Sequence, residues 1–206
     1  MARILLIRHG RTAWNKEERF RGREDLPLDE VGWAQAKALA HRLAVEHPSL
    51  TAIYASPLRR ARETAAPVAE ALGLPVQTEP GLLDIDYGAW QGLTPTEAAE
   101  RYPTLYQTWQ IAPDKVHFPG GETLGQVQAR ARSALDAAAA RHPDETIALV
   151  SHLVVCRLIL CSVLGLPLAR WTLLRQATGC LNVLETAENG YEVVALNDAC
   201  HLRGLA

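Results

Sequence analysis

The chain has 206 residues, of which 48% are hydrophobic and 21% are charged, with a formal net charge of -2. This length predicts one domain, 1–206, with enough chain to bury a substantial core. A general nucleic-acid-binding protein would usually carry a basic excess, so the net charge excludes nucleic acid as the expected partner. No apolar stretch is long enough to span a membrane and no leader pattern precedes Arg8, so we expect a cytoplasmic protein with no membrane partner.

The four cysteines are scattered and form no CxxC pair. They are Cys156, Cys161, Cys180 and Cys200. Cysteines of this kind in a cytoplasmic chain are usually reduced and mostly buried. We therefore predict free thiols and no disulfide framework.

The first half of the chain alternates strand and helix patterns. An apolar run at 4–7 predicts a buried strand that ends at Arg8-His9-Gly10. A polar loop over 11–28 follows, and Asp29 then reads as the N-cap of a helix that continues to about Ala44. Residues 51–55 predict a second strand, and Ser56 as cap with Pro57 in the first turn predicts a further helix.

The second half contains one long irregular segment between regular elements. After a short strand at 74–78, residues 80–121 are rich in proline and aromatic residues, which predicts a lid of short helices over the carboxyl ends of the strands. A helix at 124–140, a strand at 146–150 and a helix at 154–164 follow. The runs 180–184 and 191–196 flank a Glu-Asn-Gly turn and predict a hairpin at the sheet edge.

This order of elements predicts an α/β fold. The alternation favours a mostly parallel central sheet with helices on both faces and an antiparallel edge. The exposed hairpin edge and the apolar helix faces would permit a homodimer without requiring one.

Two of the predicted strands end in histidine at the edge where open α/β sheets bind ligands. Arg8 and His9 end the first strand, and His152 follows the strand at 146–150. If the two strands are neighbours, two imidazoles and a guanidinium group meet at one edge. Arginine is disfavoured at a helix N-terminus, so the run Arg59-Arg60-Ala-Arg62 indicates a bound anion. On a helix Arg60 points about 100° away from Arg59, so we expect only part of this run to face the site.

Four segments in this order resemble motifs of the histidine phosphatase superfamily, also called the phosphoglycerate mutase-like family. They are 6–15 (LIRHGRTAWN), 56–64 (SPLRRARET), 83–92 (LDIDYGAWQG) and 149–152 (LVSH), and 118–122 (FPGGE) resembles the family's link to the following helix. A single short motif would carry little weight, whereas an ordered set along nearly the whole chain is specific. The resemblance implies a phosphoglycerate mutase-like fold.

The resemblance also implies catalytic roles. His9 would be the nucleophile that forms a phosphohistidine, and Arg8, Arg60 and His152 would hold the transferring phosphoryl oxygens. Asp84 takes the place of the general acid that protonates the leaving alkoxide. Positioned cations in a dry pocket are what phosphoryl transfer needs. This chemistry requires no metal, and we find none of the short metal-ligand motifs, so neither a metal nor another cofactor is predicted.

Further positions would bind the substrate or depart from the family pattern. Asn15 would assist at the phosphate, and Arg21 with Gly22 would contact the rest of the substrate. The family usually has glutamate where this chain has the shorter Asp84, which leaves Asp86 as an alternative donor. Leu153 stands where glycine is common and would narrow the pocket, although its backbone N–H stays available.

Three functions remain open at this point. The first is a phosphomonoester hydrolase that acts on small cytoplasmic phosphate esters. The second is a cofactor-dependent phosphoglycerate mutase, which the short segment from Leu93 to Pro119 disfavours because mutases of the family carry a longer insertion there. The third is a catalytically idle phosphate-binding module. An idle module would be expected to lack His9, Arg60 or His152, and all three are present. The natural substrate is open among sugar phosphates, phosphoglycerates, nucleotide-loop phosphates and phosphoserine.

Overall fold

The computed structural model describes residues 1–205, with the exception of the Lys16 side chain, and these residues form a six-stranded sheet and seven α-helices. The strands are β1 (Arg3–Arg8), β2 (Leu50–Ala55), β3 (Val76–Thr78), β4 (Thr146–Ser151), β5 (Leu181–Ala187) and β6 (Gly190–Asp198). The helices are α1 (Trp14–Glu17), α2 (Glu30–Glu46), α3 (Arg59–Leu72), α4 (Pro95–Arg101), α5 (Pro103–Ile111), α6 (Leu124–Arg141) and α7 (Leu153–Leu164). In this part of the chain no helix is both long and apolar enough to cross a membrane.

The strand order is β3-β2-β4-β1-β5-β6. The first four strands in this order are parallel, and β5 and β6 form an antiparallel hairpin at one edge. The predicted fold class is therefore confirmed. The order also places β4 directly beside β1, the adjacency on which the predicted site depends.

The sheet separates two cores because alternate strand residues point to opposite faces. Leu5 and Ile7 of β1 pack with α2 and α3 on one face. Ile4 and Leu6 pack with α6 and α7 on the other face. All four side chains are fully buried. Burial of both faces explains why β1 is a continuous apolar run and not an alternating one.

Helix α2 begins as predicted, whereas α3 does not. The Asp29 carboxylate caps α2 by accepting from the backbone N–H of Gly32 at 2.8 Å. The cap predicted at Ser56 is wrong, since α3 begins at Arg59 with no cap from its own N-cap side chain. The backbone N–H of Arg59 donates instead to Asp25, in the loop before α2, at 2.5 Å. The Ser56 hydroxyl accepts only a long bond from the Leu58 backbone N–H, at 3.4 Å, and can make a further contact.

The segment 80–121 contains short helices, as predicted. Besides α4 and α5 it has 3-10 turns at Pro80–Leu82, Gly88–Trp90 and Pro113–Lys115. Trp90 is fully buried and contacts Phe118 and Phe20 at ring-centroid distances of 5.1 and 5.0 Å. These aromatic contacts join the segment to the α6–α7 core. Its role as a lid stays a prediction.

Candidate active site

His9 lies at the carboxyl edge of the sheet, directly after β1, and its side chain is fully buried. Its backbone N–H donates to the Ser151 carbonyl at 2.9 Å, which extends the β1–β4 pairing by one residue. Nδ1 lies 2.6 Å from the Gly10 carbonyl, a contact that assigns the ring proton to Nδ1. Nε2 is then the basic nitrogen, and it has no hydrogen-bond partner among residues 1–205.

Gly10 is needed for close packing behind this histidine. A Cβ atom at Gly10 would lie 2.8 Å from the carbonyl oxygen of Gly32 in the first turn of α2. The backbone N–H of Gly10 donates to Thr64 Oγ1 of α3 at 2.9 Å. The loop that carries His9 is thus fixed by two helices.

His152 is the N-cap residue of α7 and faces His9 across the sheet edge. The two ring centroids are 5.2 Å apart. Nδ1 of His152 accepts from Arg60 Nε at 3.1 Å, so the proton is on Nε2, which lies 2.7 Å from Ser56 Oγ. The two predicted histidines are therefore in one site, because β1 and β4 pair in register from Arg3↔Thr146 to Arg8↔Ser151.

Both imidazoles are neutral at neutral pH. Burial, and then the charge of Arg60, lower the pKa of His9 and that of His152 well below the usual range. Desolvation and nearby positive charge both disfavour the imidazolium form. A neutral ring with an unpartnered Nε2 is the form in which His9 can act as a nucleophile.

The Arg60 guanidinium group is fully buried and makes four hydrogen bonds. Besides its bond to His152, it donates to the backbone carbonyls of Glu24 at 2.6 Å and Gly22 at 2.8 Å. Nη2 also lies 3.0 Å from Asp84 Oδ2. Arg60 therefore links the second histidine, the loop before α2 and the acid segment, whereas Arg59 and Arg62 are exposed.

Arg8 is buried on the opposite side, with 7% of its surface exposed. Its Nη1 donates to the backbone carbonyl of Gln176 at 2.5 Å, and its Nε has no partner among the described residues. Burial lowers the pKa of Arg8 to about 10, so the guanidinium group is charged at neutral pH. Unlike Arg60, Arg8 forms no ion pair with a carboxylate in the part of the chain described.

Asp84, and not Asp86, is the carboxylate at this site. Asp84 is 5% exposed, and its Oδ2 contacts Arg60 and lies 3.7 Å from His152 Nδ1. Asp86 accepts from the Gly88 backbone at 2.8 Å and pairs with Arg23 at 3.3 Å. The geometry therefore favours the predicted donor over its alternative.

Arg130 of α6 fixes the segment that carries Asp84. It donates to the backbone carbonyls of Gly81, Leu83 and Asp84 at 3.0, 2.6 and 3.0 Å. Glu122 holds Arg130 in place through bonds of 2.8 and 3.0 Å. The acid segment is thus held from behind by a charged clamp.

A cavity of about 410 Å³ opens over these side chains. It is lined by Arg8, Asn15, Glu18, Arg19, Phe20, Arg21, Gly22, Asp84, Tyr87, Pro95, Tyr106, Trp109, Gln110, Leu153, Val154 and Trp171. All four residues predicted to bind the substrate are in this set. His9, Arg60 and His152 are fully buried and are not in it; His9 follows the lining residue Arg8 in the chain, and Arg60 and His152 lie beside the lining residue Asp84. Trp109 forms part of the wall, whereas Trp90 lies in the core.

Asn15 and Arg21 have hydrogen-bonding groups left for a ligand. Asn15 Oδ1 accepts from the Thr12 backbone and hydroxyl at 2.9 Å each, so its amide nitrogen stays available. Arg21 donates from Nη1 to the Trp14 carbonyl at 3.3 Å, while its buried Nε has no partner among residues 1–205. Within the same residues no cluster of three or more His, Cys, Asp or Glu side chains is arranged to hold a metal ion.

The family profile of the histidine phosphatase superfamily (branch 1) matches residues 4–199. The chain belongs to this superfamily. Phosphoserine phosphatase 1 of Hydrogenobacter thermophilus is 37% identical over 202 residues, which is 98% of this chain and 95% of that protein. The probable phosphoglycerate mutase GpmB of Yersinia pestis is 31% identical over 98% of this chain and 95% of its own length.

A solved structure agrees with the sequence relatives. Bacillus stearothermophilus YhfR superposes with a TM-score of 0.92 at 31% identity and covers 98% of this chain and 100% of its own. The phosphoglycerate mutase-like fold implied by the sequence motifs is therefore confirmed. The chain is a phosphatase of this superfamily, and the mutase alternative is not favoured.

Sequence analysis of this histidine phosphatase missed two contacts of the site. Ser56 was assigned to a helix cap, although it follows β2 at the same sheet edge and donates its backbone N–H to Val150 at 2.9 Å. Its position after a strand next to β4 could have revealed it. Gln176 had no local signal, because its carbonyl meets Arg8 across 168 residues of chain.

Proposed function

We propose that this histidine phosphatase hydrolyses small phosphomonoesters through a phosphohistidine at His9. Arg8, Arg60 and His152 hold the phosphoryl oxygens, assisted by Asn15, and Asp84 is the general acid. The observation that carries this proposal is the unpartnered Nε2 of a buried, neutral His9 beside buried guanidinium groups. Such an arrangement supplies a nucleophile and the positive charge that the phosphoryl transition state needs.

In the first step the lone pair of His9 Nε2 forms a bond to phosphorus. The bond from phosphorus to the ester oxygen breaks, its electron pair moves to that oxygen, and Asp84 donates the proton. In the second step Asp84 takes a proton from water, whose oxygen bonds to phosphorus while the bond to Nε2 breaks. The products are an alcohol and inorganic phosphate, and both side chains return to their starting states.

The contact between Arg60 and Asp84 prepares the carboxyl group for this role. In the structure Asp84 accepts from the same guanidinium group that would bind a phosphoryl oxygen. An incoming phosphate dianion competes for Arg60 and brings negative charge close to the carboxylate. Substrate binding therefore releases the Asp84 carboxyl group from Arg60 and leaves it free to reach the ester oxygen.

The leaving-group end of the cavity supports an amino-acid ester as the substrate. Arg21 offers an unpartnered Nε to a carboxylate, and Glu18 lines the same cavity and could attract an ammonium group. Phosphoserine carries both charges, and the Hydrogenobacter relative is named a phosphoserine phosphatase. We therefore propose phosphoserine as the first substrate to test. Sugar phosphates, phosphoglycerates and nucleotide-type phosphates are the competing classes.

The test is phosphate release from a panel of esters by the wild type, His9→Ala and His41→Ala, whose histidine is exposed on α2. The panel contains phosphoserine, a sugar phosphate, a nucleoside monophosphate, and 3-phosphoglycerate with and without 2,3-bisphosphoglycerate. We expect His9→Ala to lose at least about 1,000-fold in kcat/KM and His41→Ala to match the wild type. Isomerisation of 3-phosphoglycerate that outruns hydrolysis would support a mutase, and no turnover of any ester would contradict the proposed activity.

The substrate assignment has its own variant. Arg21→Ala should raise KM for phosphoserine by about tenfold while leaving KM for p-nitrophenyl phosphate, which has no carboxylate, almost unchanged. Arg62→Ala, at an exposed position of α3, is the matched control. Equal effects of Arg21→Ala on both esters would contradict a carboxylate contact.

A further inference from the structure

A cluster of three side-chain amides, two of them buried and one half-buried, lies behind Arg8. It consists of Gln176 after α7, Asn182 of β5 and Asn197 of β6. Gln176 is 3% exposed and Asn182 is fully buried. The proposed mechanism uses none of these side chains, although burying polar groups is costly unless their hydrogen bonds are satisfied.

The amides of Gln176 and Asn182 form a reciprocal pair. Gln176 Nε2 donates to Asn182 Oδ1 at 2.8 Å, and Asn182 Nδ2 donates to Gln176 Oε1 at 2.7 Å. Gln176 Oε1 also accepts from the Cys180 thiol at 3.3 Å. Two antiparallel bonds between planar groups fix both side chains in one orientation.

The cluster connects three backbone segments around Arg8. Asn182 Nδ2 donates to the carbonyl of Leu6, two residues before Arg8 on β1, at 3.0 Å. Asn182 Oδ1 accepts from the Asn197 backbone at 2.8 Å. Asn197 Oδ1 in turn accepts from the Ala177 backbone at 2.7 Å, directly after the Gln176 carbonyl that receives Arg8 Nη1.

We propose that Gln176, Asn182 and Asn197 are positioning residues that aim Arg8 at the phosphoryl group without neutralising its charge. The amides fix the position of the Gln176 backbone carbonyl, and this carbonyl accepts from Arg8 Nη1. The carbonyl and the amides form a support without charge, and this neutral support sets the orientation of the guanidinium group and its unpartnered Nε. A carboxylate in the same place would also hold a guanidinium group, but it would compete with the phosphate dianion for it. This inference rests on the proposed function, because it takes Arg8 as a phosphate ligand.

The first test replaces Gln176 by methionine, which keeps the side-chain length but removes the amide. The probe is inorganic phosphate, and its inhibition constant is measured by competition with p-nitrophenyl phosphate. KM for this ester and the midpoint of denaturation are measured on the same variants. The matched control is Gln128→Met, which removes one amide bond to the Leu158 carbonyl between α6 and α7. We expect Gln176→Met to raise the phosphate inhibition constant by about tenfold and Gln128→Met to leave it unchanged.

A second variant, Gln176→Glu, tests the importance of a neutral support. The new carboxylate would add a negative charge close to Arg8, and phosphate inhibition should weaken by more than in Gln176→Met. The two variants remove the same amide and differ in charge, so the excess weakening in Gln176→Glu measures the effect of a charged support on phosphate binding. A merely structural role would lower stability in both variants without a larger loss of phosphate inhibition in Gln176→Glu.

The outcomes separate this inference from the proposed function. If Arg8→Met leaves phosphate inhibition unchanged, Arg8 is not a phosphate ligand and the proposed role fails with it. If Arg8→Met weakens inhibition but Gln176→Met and Gln176→Glu stay within about twofold of the wild type, only the positioning role is overturned. Should neither Gln176 variant fold, Asn197→Ala removes the single bond to Ala177 at a half-buried position. It should weaken inhibition by about threefold, and an unchanged value would overturn the positioning role.

Discussion

The two buried arginines of the site are held in opposite ways. Arg60 is surrounded by partners, which include two backbone carbonyls, an imidazole and the Asp84 carboxylate. The Arg8 side chain makes one hydrogen bond to the described residues, to the Gln176 carbonyl, which neutral amides support. Arg60 therefore shares its charge with Asp84, the proposed proton donor, while Arg8 keeps its full positive charge for the proposed phosphate contact. The same fold thus holds one guanidinium group that is paired with a carboxylate and one that is not.

The largest expected effect comes from the acid on the Arg60 side. Asp84→Asn keeps the shape and a bond to Arg60 but cannot donate a proton, so kcat for phosphoserine should fall about 100- to 1,000-fold. The loss for p-nitrophenyl phosphate should be much smaller, because that leaving group needs no proton. Steady-state kinetics on both esters checks this. An equal loss on both would show that Asp84 does not protonate the leaving group.

Lysine substitutions should separate the arginines by stability. Arg60→Lys leaves the carbonyls of Gly22 and Glu24 without buried donors and should cost about 2–4 kcal/mol. Arg8→Lys loses one carbonyl bond and should cost about 1 kcal/mol. Urea denaturation of the three proteins measures the difference. Equal costs would contradict the contrast between the two supports.

A third effect, of similar size, is a pH dependence of the stability to which both histidines contribute. The folded-state pKa values of His9 and His152 lie well below the usual 6.5 because both rings are buried near Arg60. Below pH 6.5 the unfolded chain binds these protons and the folded chain does not, so stability is full above that pH and falls below it. Each ring should contribute about 1.4 kcal/mol per pH unit.

The free energy of unfolding is measured between pH 6.0 and 5.0 for the wild type and His9→Ala, and its change per pH unit is compared between the two proteins. The variant should lose stability with falling pH less steeply, by about 1.4 kcal/mol per unit. Parallel curves would mean that His9 is protonated in the folded state over this range.

Local patterns predicted most of the fold and the centre of the site. The apolar runs before Arg8 and Ser151 identified the two strands, and the 100° step of a helix separated Arg60 from Arg59. What the patterns lacked was the strand order, since only the β2-β4-β1 arrangement brings His9, Ser56 and His152 to one edge. The predicted start of α3 was wrong because the backbone N–H of Arg59 donates to the distant Asp25 and not to a local cap.

The supports of the site were beyond sequence reasoning for a similar reason. Arg130 contacts the acid segment across more than 45 residues, and Asn182 contacts Leu6 across 176. Neither interaction has a spacing rule, because the partners meet only after the sheet and α6 have assembled. The choice between Asp84 and Asp86 was also beyond the sequence, since it depends on the contacts of Asp86 with Arg23 and with the Gly88 backbone.

The register of β1 with β4 has a consequence for biogenesis. His9 is synthesised early, yet the strand that brings His152 beside it is made about seven-tenths of the way along the chain, and Gln176 follows later still. Closing such distant pairs is slow relative to local helix formation. A nascent chain that ends before β4 thus contains His9 but not His152 beside it, and recovery of phosphatase activity during refolding should report completion of the central sheet.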